Sequence, residues 1–410
     1  MGRGHARSYA GATRNPDVAG CVRGCEMMGP NAIIDKSFLQ MLNPEEVFEF
    51  SLFFRPVIVP VLIREIISDL KKEPTAHTVP HNVVKALASK LGNIHGLTPV
   101  NFRKAAIGNL LTRSVPLTGQ VPVDADAPNV HISRSGKGLL YDSAPEQKLW
   151  DRWAAGNFNT SDELSATVWR QGIERIRLDR IRDDWKDFVQ EHFASAKSIP
   201  SLVQGVNALF ADFSLTTQRE VLQTTLGFLR VAPGPGTIIL MLSNAGLIPR
   251  IGDLAPYAAS VARLAFVFVA GLGRGFIGPR PSHYLDLQYL FYAPFANVFV
   301  SSDKFHRDLW VATSGNNTFV WGPDLKADLA RRIALRKQQT QSEREKHDET
   351  HGFYPLEIDG SPITKVWGKY LRPRNEILGS AKDRKALKES EPEILKEIHE
   401  RLAEFDTFPR

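Results

Sequence analysis

Residues 297–309, NVFVSSDKFHRDL, form the stretch of sequence that decides the fold. An apolar run from Val298 to Val300 ends in two serines and then in a carboxylate, Asp303. The residues that follow, DKFHRDLWVAT, show the apolar spacing of a helix. The sequence therefore predicts a buried strand that passes directly into a helix, with an acidic residue at the carboxyl end of the strand.

The same pattern occurs near the start of the chain, where the run from Ala32 to Ile34 ends at Asp35. Residues 43–54, NPEEVFEFSLFF, are typical of a helix with an asparagine N-cap and proline at the first position. In residues 56–72, PVIVPVLIREIISDLKK, a β-branched run passes into an amphipathic helix. With a last strand in NNTFVWG, this alternation predicts an α/β fold with a small parallel sheet flanked by helices.

Four acidic residues stand at positions that converge in such a fold. Asp35 and Asp303 end strands, and parallel neighbours place both at one edge of the sheet. Glu65 lies about one turn into the helix that leaves the second strand, and Asp286 opens the predicted helix 283–295. Because open α/β sheets bind ligands outside the carboxyl ends of their strands, we expect these four carboxylates to face one cleft.

Carboxylates this close repel one another unless a cation lies between them. Mg²⁺ or Mn²⁺ prefers oxygen ligands, and such ions support phosphodiester hydrolysis with water as the nucleophile. Each acid alone also has an ordinary interpretation. Asp35 and Asp303 suit helix N-caps, Glu65 suits a solvated helix face, and Asp286 suits a first helical turn.

The segments AIIDKSFLQML, VIVPVLIREIISDL, DLQYLFYAPFANVFVSSDKF and TFVWG resemble the PIN-domain nucleases. The resemblance covers residues 31–72 and 283–322. It implies a Mg²⁺- or Mn²⁺-dependent endoribonuclease that cuts single-stranded RNA. It also implies site residues, namely the metal-binding and catalytic acids Asp35, Glu65, Asp286 and Asp303, with the supporting hydroxyls Ser37 and Ser301.

The chain also departs from the family pattern. Lys36 and Lys304 each follow an acid, where they either contact phosphate or take the place of the metal and leave the site inactive. Asp308 is a rival for the last acidic position. The main alternative is therefore a PIN-like scaffold without catalysis that binds RNA or, through its charged helices, a protein partner. A further alternative is a zinc site on HDETH, with His347 and His351 on one helical face.

The two blocks divide the chain into predicted regions. Residues 1–27 are expected to be a disordered tail or an over-extended start, and residues 28–75 with 280–325 to form the PIN-like core. A mainly helical insertion is predicted for 76–279, and a charged helical C-terminal region for 326–410. Toward the C-terminus, the sequence predicts one charged helix from residue 324, a loop that contains DGSPITK, and a second charged helix over 380–405.

Composition restricts the class of protein. The chain has 410 residues with 43% hydrophobic and 23% charged residues, which is ordinary for a globular protein. The net charge of +6 favours an anionic partner such as RNA. The two cysteines, Cys21 and Cys25, suit a reducing, cytoplasmic setting. Because Arg263 stands in the middle of LAPYAASVARLAFVFVAGL (254–272), we expect a buried helix there and no membrane span.

Overall fold

The computed structural model describes residues 29–75, 79–94, 96–111, 113–115, 117–124, 130–132, 139–231, 250–315 and 317–373, with single positions at 376, 392, 393, 396 and 400. It confirms an α/β protein with a small parallel sheet and mostly helical content. The strands are β1 (Asn31–Ile34), β2 (Arg55–Val57), β3 (Val130–Ile132), β4 (Leu139–Tyr141), β5 (Val298–Ser301) and β6 (Thr318–Trp321).

The main sheet has four parallel strands in the order β2-β1-β5-β6. Ile34 pairs with Val300, and Val300 pairs with Val320, so the carboxyl ends of the three strands lie side by side. Every residue of β5 is buried, as expected for a parallel strand covered by helices on both faces. The register therefore brings the residues that follow β1 and β5 to one edge of the sheet.

Helices surround the sheet and fill the long interval between its two halves. The first part of the chain contains α1 (Lys36–Met41), α2 (Pro44–Phe53), α3 (Pro60–Ser68), α4 (Pro80–Gly92), α5 (Phe102–Leu110), α6 (Ala144–Ala154), α7 (Thr160–Glu174), α8 (Leu178–Asp184) and α9 (Lys186–Phe193). The rest contains α10 (Ile199–Ala211), α11 (Leu215–Leu229), α12 (Ile251–Leu254), α13 (Pro256–Gly273), α14 (Pro281–Leu290), α15 (Lys304–Thr313), α16 (Gly322–Gln338), α17 (Gln341–His351) and α18 (Pro362–Tyr370).

The predicted insertion is mainly helical, and it shares one hydrophobic core with the sheet. Polar contacts also join them: for example, the Tyr257 hydroxyl donates to the carbonyl of Phe291 at 3.1 Å, and the Tyr292 hydroxyl accepts from the Phe102 N–H at 3.0 Å. In its length and composition α13 is apolar enough to cross a membrane, but 72% of it is buried inside the protein. The expectation of a buried helix over 254–272 is confirmed.

Several local predictions need correction. Asp286 does not open its helix, because Pro281 occupies the first turn and α14 begins five residues earlier. The long charged helix predicted from residue 324 is two helices, since Thr340 forms a capping box that starts α17. The loop predicted around DGSPITK gives way to α18, whose first turn is capped by Ser361. The predicted helix 380–405 lies outside the continuous described ranges.

Candidate functional site

Asp35 follows β1 directly and is almost fully buried at 4% exposure. Its Oδ1 accepts the Phe38 N–H at 2.8 Å, so it caps α1 as the local pattern predicts. The Ser37 hydroxyl contacts both carboxylate oxygens, and the Ser301 hydroxyl donates to Oδ2 at 2.5 Å. Burial raises the pKa of Asp35, but hydrogen bonds and the charge of His306 outweigh it and hold the pKa below the ordinary 3.8.

Ser301 connects the ends of the two central strands. Besides donating to Asp35, its hydroxyl oxygen accepts the N–H of Asp303 at 3.0 Å. Asp303 caps α15 through a 2.7 Å hydrogen bond from the Phe305 N–H to Oδ1. The two acids therefore meet at one edge of the sheet, as predicted from their strands, and both serines singled out in the sequence contact Asp35.

His306 is buried between two of the acids. Its Nδ1 lies 2.9 Å from Ser301 Oγ and 3.4 Å from Asp35 Oδ2, and its Nε2 lies 3.1 Å from the carbonyl oxygen of Asp286. The Ser301 hydrogen is already donated to Asp35, and a carbonyl only accepts, so both ring nitrogens must donate. Burial lowers the pKa of His306, but Asp35, Asp286 and Asp303 raise it above 6.5, which agrees with an imidazolium.

Glu65 enters the group from α3. Its Oε2 accepts the hydroxyl of Tyr289, whose ring packs against His306 with centroids 5.4 Å apart. Burial raises the pKa of Glu65 above 4.5, and the Tyr289 hydrogen bond and nearby positive charges offset only part of this. Burial and the Glu65 charge raise the pKa of Tyr289 well above 10, so Tyr289 remains a neutral donor.

Asp286 is the member of the group that titrates near neutrality. Burial, followed by the charges of Glu65, Asp303 and Asp35, raises its pKa to about 7 against the opposing charge of His306. Its side chain is 18% exposed, and its Oδ1 lies 3.9 Å from His306 Nε2. The four predicted acids thus act electrostatically on one another, and Asp286 lies where the group meets solvent.

The two lysines and the rival acid have separate surroundings. Lys36 forms an ion pair with Asp69 at 2.5 Å and donates to the backbone carbonyl of Glu65 at 3.2 Å, so its ammonium group is held beside α3. Lys304 is exposed. The Asp308 side chain is 50% exposed and pairs with Arg307 at 3.0 Å. Its exposure and pairing separate Asp308 from the buried group, so it serves as a matched control for Asp303.

The carboxylate oxygens of the acidic group are the type of ligand that a hard divalent cation prefers. Glu65 and Asp303 each accept one hydrogen bond on one carboxylate oxygen, whereas both oxygens of Asp35 accept hydrogen bonds. Within the described ranges, however, no group of three or more His, Cys, Asp or Glu side chains is arranged as metal ligands. The positive charge that lies among the acids is His306.

His306 and Tyr289 were missed by the sequence reasoning. Each stands three residues after a predicted acid, His306 after Asp303 and Tyr289 after Asp286, which is one turn along a helix. That spacing was the available signal, because residues three apart share a helix face. It does not reveal that both side chains turn toward the acids.

The alternative zinc site on α17 has little support in the geometry. The rings of His347 and His351 stack with centroids 4.8 Å apart, and His347 Nε2 contacts the carbonyl of Tyr354 at 2.8 Å. That contact suits a ring nitrogen that donates to a carbonyl, whereas a metal ligand needs a free lone pair.

Comparison with known proteins does not assign the chain to a family. Scans against protein-family models, curated proteins and solved structures each gave no match.

The Asp286→Asn variant is expected to change the pH dependence of stability. The folded-state pKa of about 7 lies above the ordinary 3.8, so the stabilisation is complete below 3.8 and is lost as the pH rises through about 7. Asparagine does not titrate. The variant should therefore gain about 4 kcal/mol in unfolding free energy relative to wild type between about pH 4 and pH 8. Urea unfolding at both pH values measures this, and parallel pH curves for wild type and variant would contradict it.

Proposed function

We propose that the protein is a metal-dependent nuclease of the PIN-like type that hydrolyses single-stranded RNA at the group formed by Asp35, Glu65, Asp286 and Asp303. The observation that carries the proposal is that four carboxylates from different elements near the carboxyl edge of a parallel sheet act electrostatically on one another. Burial, followed by the charges of Glu65, Asp303 and Asp35, raises the pKa of Asp286 to about 7. One histidine balances part of this charge, and the remaining negative charge favours a cation.

In this proposal the residues of the group have separate roles. Glu65 and Asp303 would hold Mg²⁺ or Mn²⁺, which supplies positive charge for the reacting phosphate when it is bound. Asp35 is fixed by Ser37, Ser301 and the first turn of α1, and it keeps His306 charged and in place. Asp286 has a pKa that suits removal of a proton from an attacking water near neutral pH.

Two exposed cations near the acids suit a phosphate backbone. Lys304 follows Asp303 at the start of α15, and Arg280 stands at the N-cap of α14, the helix that carries Asp286. Both side chains are exposed. Single-stranded RNA presents one phosphate per nucleotide, and cations flanking a cleft draw such a strand toward it.

A cleavage assay tests the proposal. End-labelled single-stranded RNA and DNA of one sequence are incubated with the full chain in Mg²⁺, Mn²⁺ or EDTA. We expect metal-dependent cutting of RNA by wild type and by Asp308→Asn, and its loss in Asp303→Asn, because only the second substitution removes a carboxylate of the group. Cutting that survives in EDTA or in Asp303→Asn would contradict the proposal.

One observation favours a second candidate, a scaffold without catalysis. Both oxygens of Asp35 accept hydrogen bonds from the protein, and His306 already lies among the acids as a cation. This function predicts no divalent-metal binding in isothermal titration calorimetry and no cutting of RNA by folded wild-type protein. Metal binding that is weakened by Asp303→Asn would argue against it.

A further inference from the structure

A cavity of about 390 Å³ lies at the opposite end of α15 from the acids. Its walls come from α10, from α13, from the turn before β5 and from the segment between α15 and β6. Asp303 is the N-cap of α15, whereas Thr313 at the last residue of the same helix lines the cavity. A ten-residue helix is about 15 Å long, so the cavity is separate from the acidic group.

Arg263, in the middle of α13, lines this cavity without an acidic partner among the described residues. Its Nε is buried and has no hydrogen-bond partner there, and burial lowers the pKa of its guanidinium. The group lies over the ring of Phe210, with 5.1 Å to the ring centroid. Asp253 on α12 pairs with Arg250 at 2.9 Å, and residues 232–249 contain no Asp or Glu. Because the charge of Arg263 is half-buried and has no acidic partner among the described residues, it favours the binding of an anion.

A second unpaired polar atom belongs to a residue that lines the cavity. Ser314 Oγ is buried and has no hydrogen-bond partner in the described part of the chain, and Ser314 lines the cavity. Buried polar groups in proteins are nearly always hydrogen-bonded, so two such atoms in one cavity point to an absent partner. Ser260 and Asn207 add polar side chains to the lining.

Much of the remaining lining is apolar, and it determines which hydrocarbon part of a ligand fits. Val203 and Val206 come from α10, and Leu264 and Val267 come from α13. The volume is in the range of small-molecule sites, which are mostly apolar with a few placed polar groups. One polar corner beside an aliphatic wall suits a molecule with one charged end and a short hydrocarbon body.

We infer that this cavity binds a small organic monocarboxylate, with its carboxylate on Arg263 and Ser314 and its hydrocarbon part against the wall of α10 and α13. A guanidinium matches a carboxylate in shape and accepts it through two parallel hydrogen bonds. One cation balances one negative charge, so a monoanion neutralises the site, whereas a phosphate dianion leaves a buried excess charge.

The test measures binding to the full chain by isothermal titration calorimetry. The probes are pentanoate and benzoate, with pentanamide as the neutral match of pentanoate and inorganic phosphate as the anion without a hydrocarbon body. We expect one site for at least one of the two carboxylates, with pentanamide and phosphate binding more weakly. Arg263→Met keeps the aliphatic packing and should weaken carboxylate binding by about tenfold or more, as loss of a charge-assisted hydrogen bond does.

Two further variants keep the outcome decisive. Ser314→Ala removes one hydroxyl and should weaken carboxylate binding even if Arg263→Met fails to fold. Arg219→Met, an exposed position on α11 outside the cavity, should bind like wild type. The inference is overturned if neither carboxylate binds wild type, if phosphate binds more tightly than both, or if neither cavity variant weakens binding.

Discussion

The Asp286→Asn variant should cut single-stranded RNA about 10²–10⁴-fold more slowly than wild type, the range expected when a general base is lost. The proposed role requires a carboxylate that accepts a proton near neutrality, and burial with three neighbouring acids raises the pKa of Asp286 to about 7. Asparagine has nearly the same shape but cannot take up a proton at any working pH. The wild-type rate should rise with pH up to about 7 and then level off, whereas the rate of the variant should not show this rise.

The same substitution is expected to slow cleavage but to raise the unfolding free energy above pH 7. These opposite effects distinguish the loss of a general base from the loss of the fold. A loss of rate that came from unfolding would appear together with a lower unfolding free energy. Initial cleavage rates and urea unfolding of wild type, Asp286→Asn and the exposed control Asp308→Asn give both quantities. A variant that cleaves at the wild-type rate, or one that is inactive and also less stable at about pH 8, would refute the role assigned to Asp286.

The parts of the fold that were predicted from the sequence are those that local sequence patterns determine. The strand ends at Asp35 and Asp303 follow from apolar runs that stop at a cap, and the start of α2 follows from Asn43 and Pro44. The start of α17 has the same kind of signal, a threonine followed three residues later by Glu343. That signal was present in the sequence and was overlooked.

The remaining features depend on contacts between distant segments. His306 becomes a central cation only because Ser301, Asp35 and the backbone of Asp286 meet around it. These come from β5, from the junction of β1 with α1, and from α14. Its sequence neighbours, Phe305 and Arg307, show nothing of this. The cavity at Arg263 is similar, since its walls come from segments far apart in the chain.

The His306→Leu variant is expected to lose about 3–5 kcal/mol of unfolding free energy, because it leaves Asp35 buried without its counter-charge. Leucine also fails to donate to Ser301 Oγ and to the carbonyl of Asp286. The stabilisation from His306 is complete below pH 6.5 and is lost as the pH rises through its raised pKa. The stabilisation from Asp35 is present above pH 3.8 and is lost as the pH falls through its lowered pKa. The stability loss of His306→Leu should therefore be largest between pH 3.8 and pH 6.5, and urea unfolding at about pH 5.5 measures it.

His283→Leu is the matched control, since the ring of His283 on α14 stacks on Phe305 and makes one side-chain hydrogen bond in the described structure, to the carbonyl of Gly278. Losing that one hydrogen bond should cost about 1 kcal/mol. Adding Asp35→Asn to His306→Leu should restore part of the lost stability, because the amide removes the unpaired buried charge and still accepts the Phe38 N–H. If His306→Leu costs no more than the control, or if Asp35→Asn adds its full cost on top, then His306 and Asp35 are not a charge pair. In that case His306 would not offset the electrostatic repulsion among the acids.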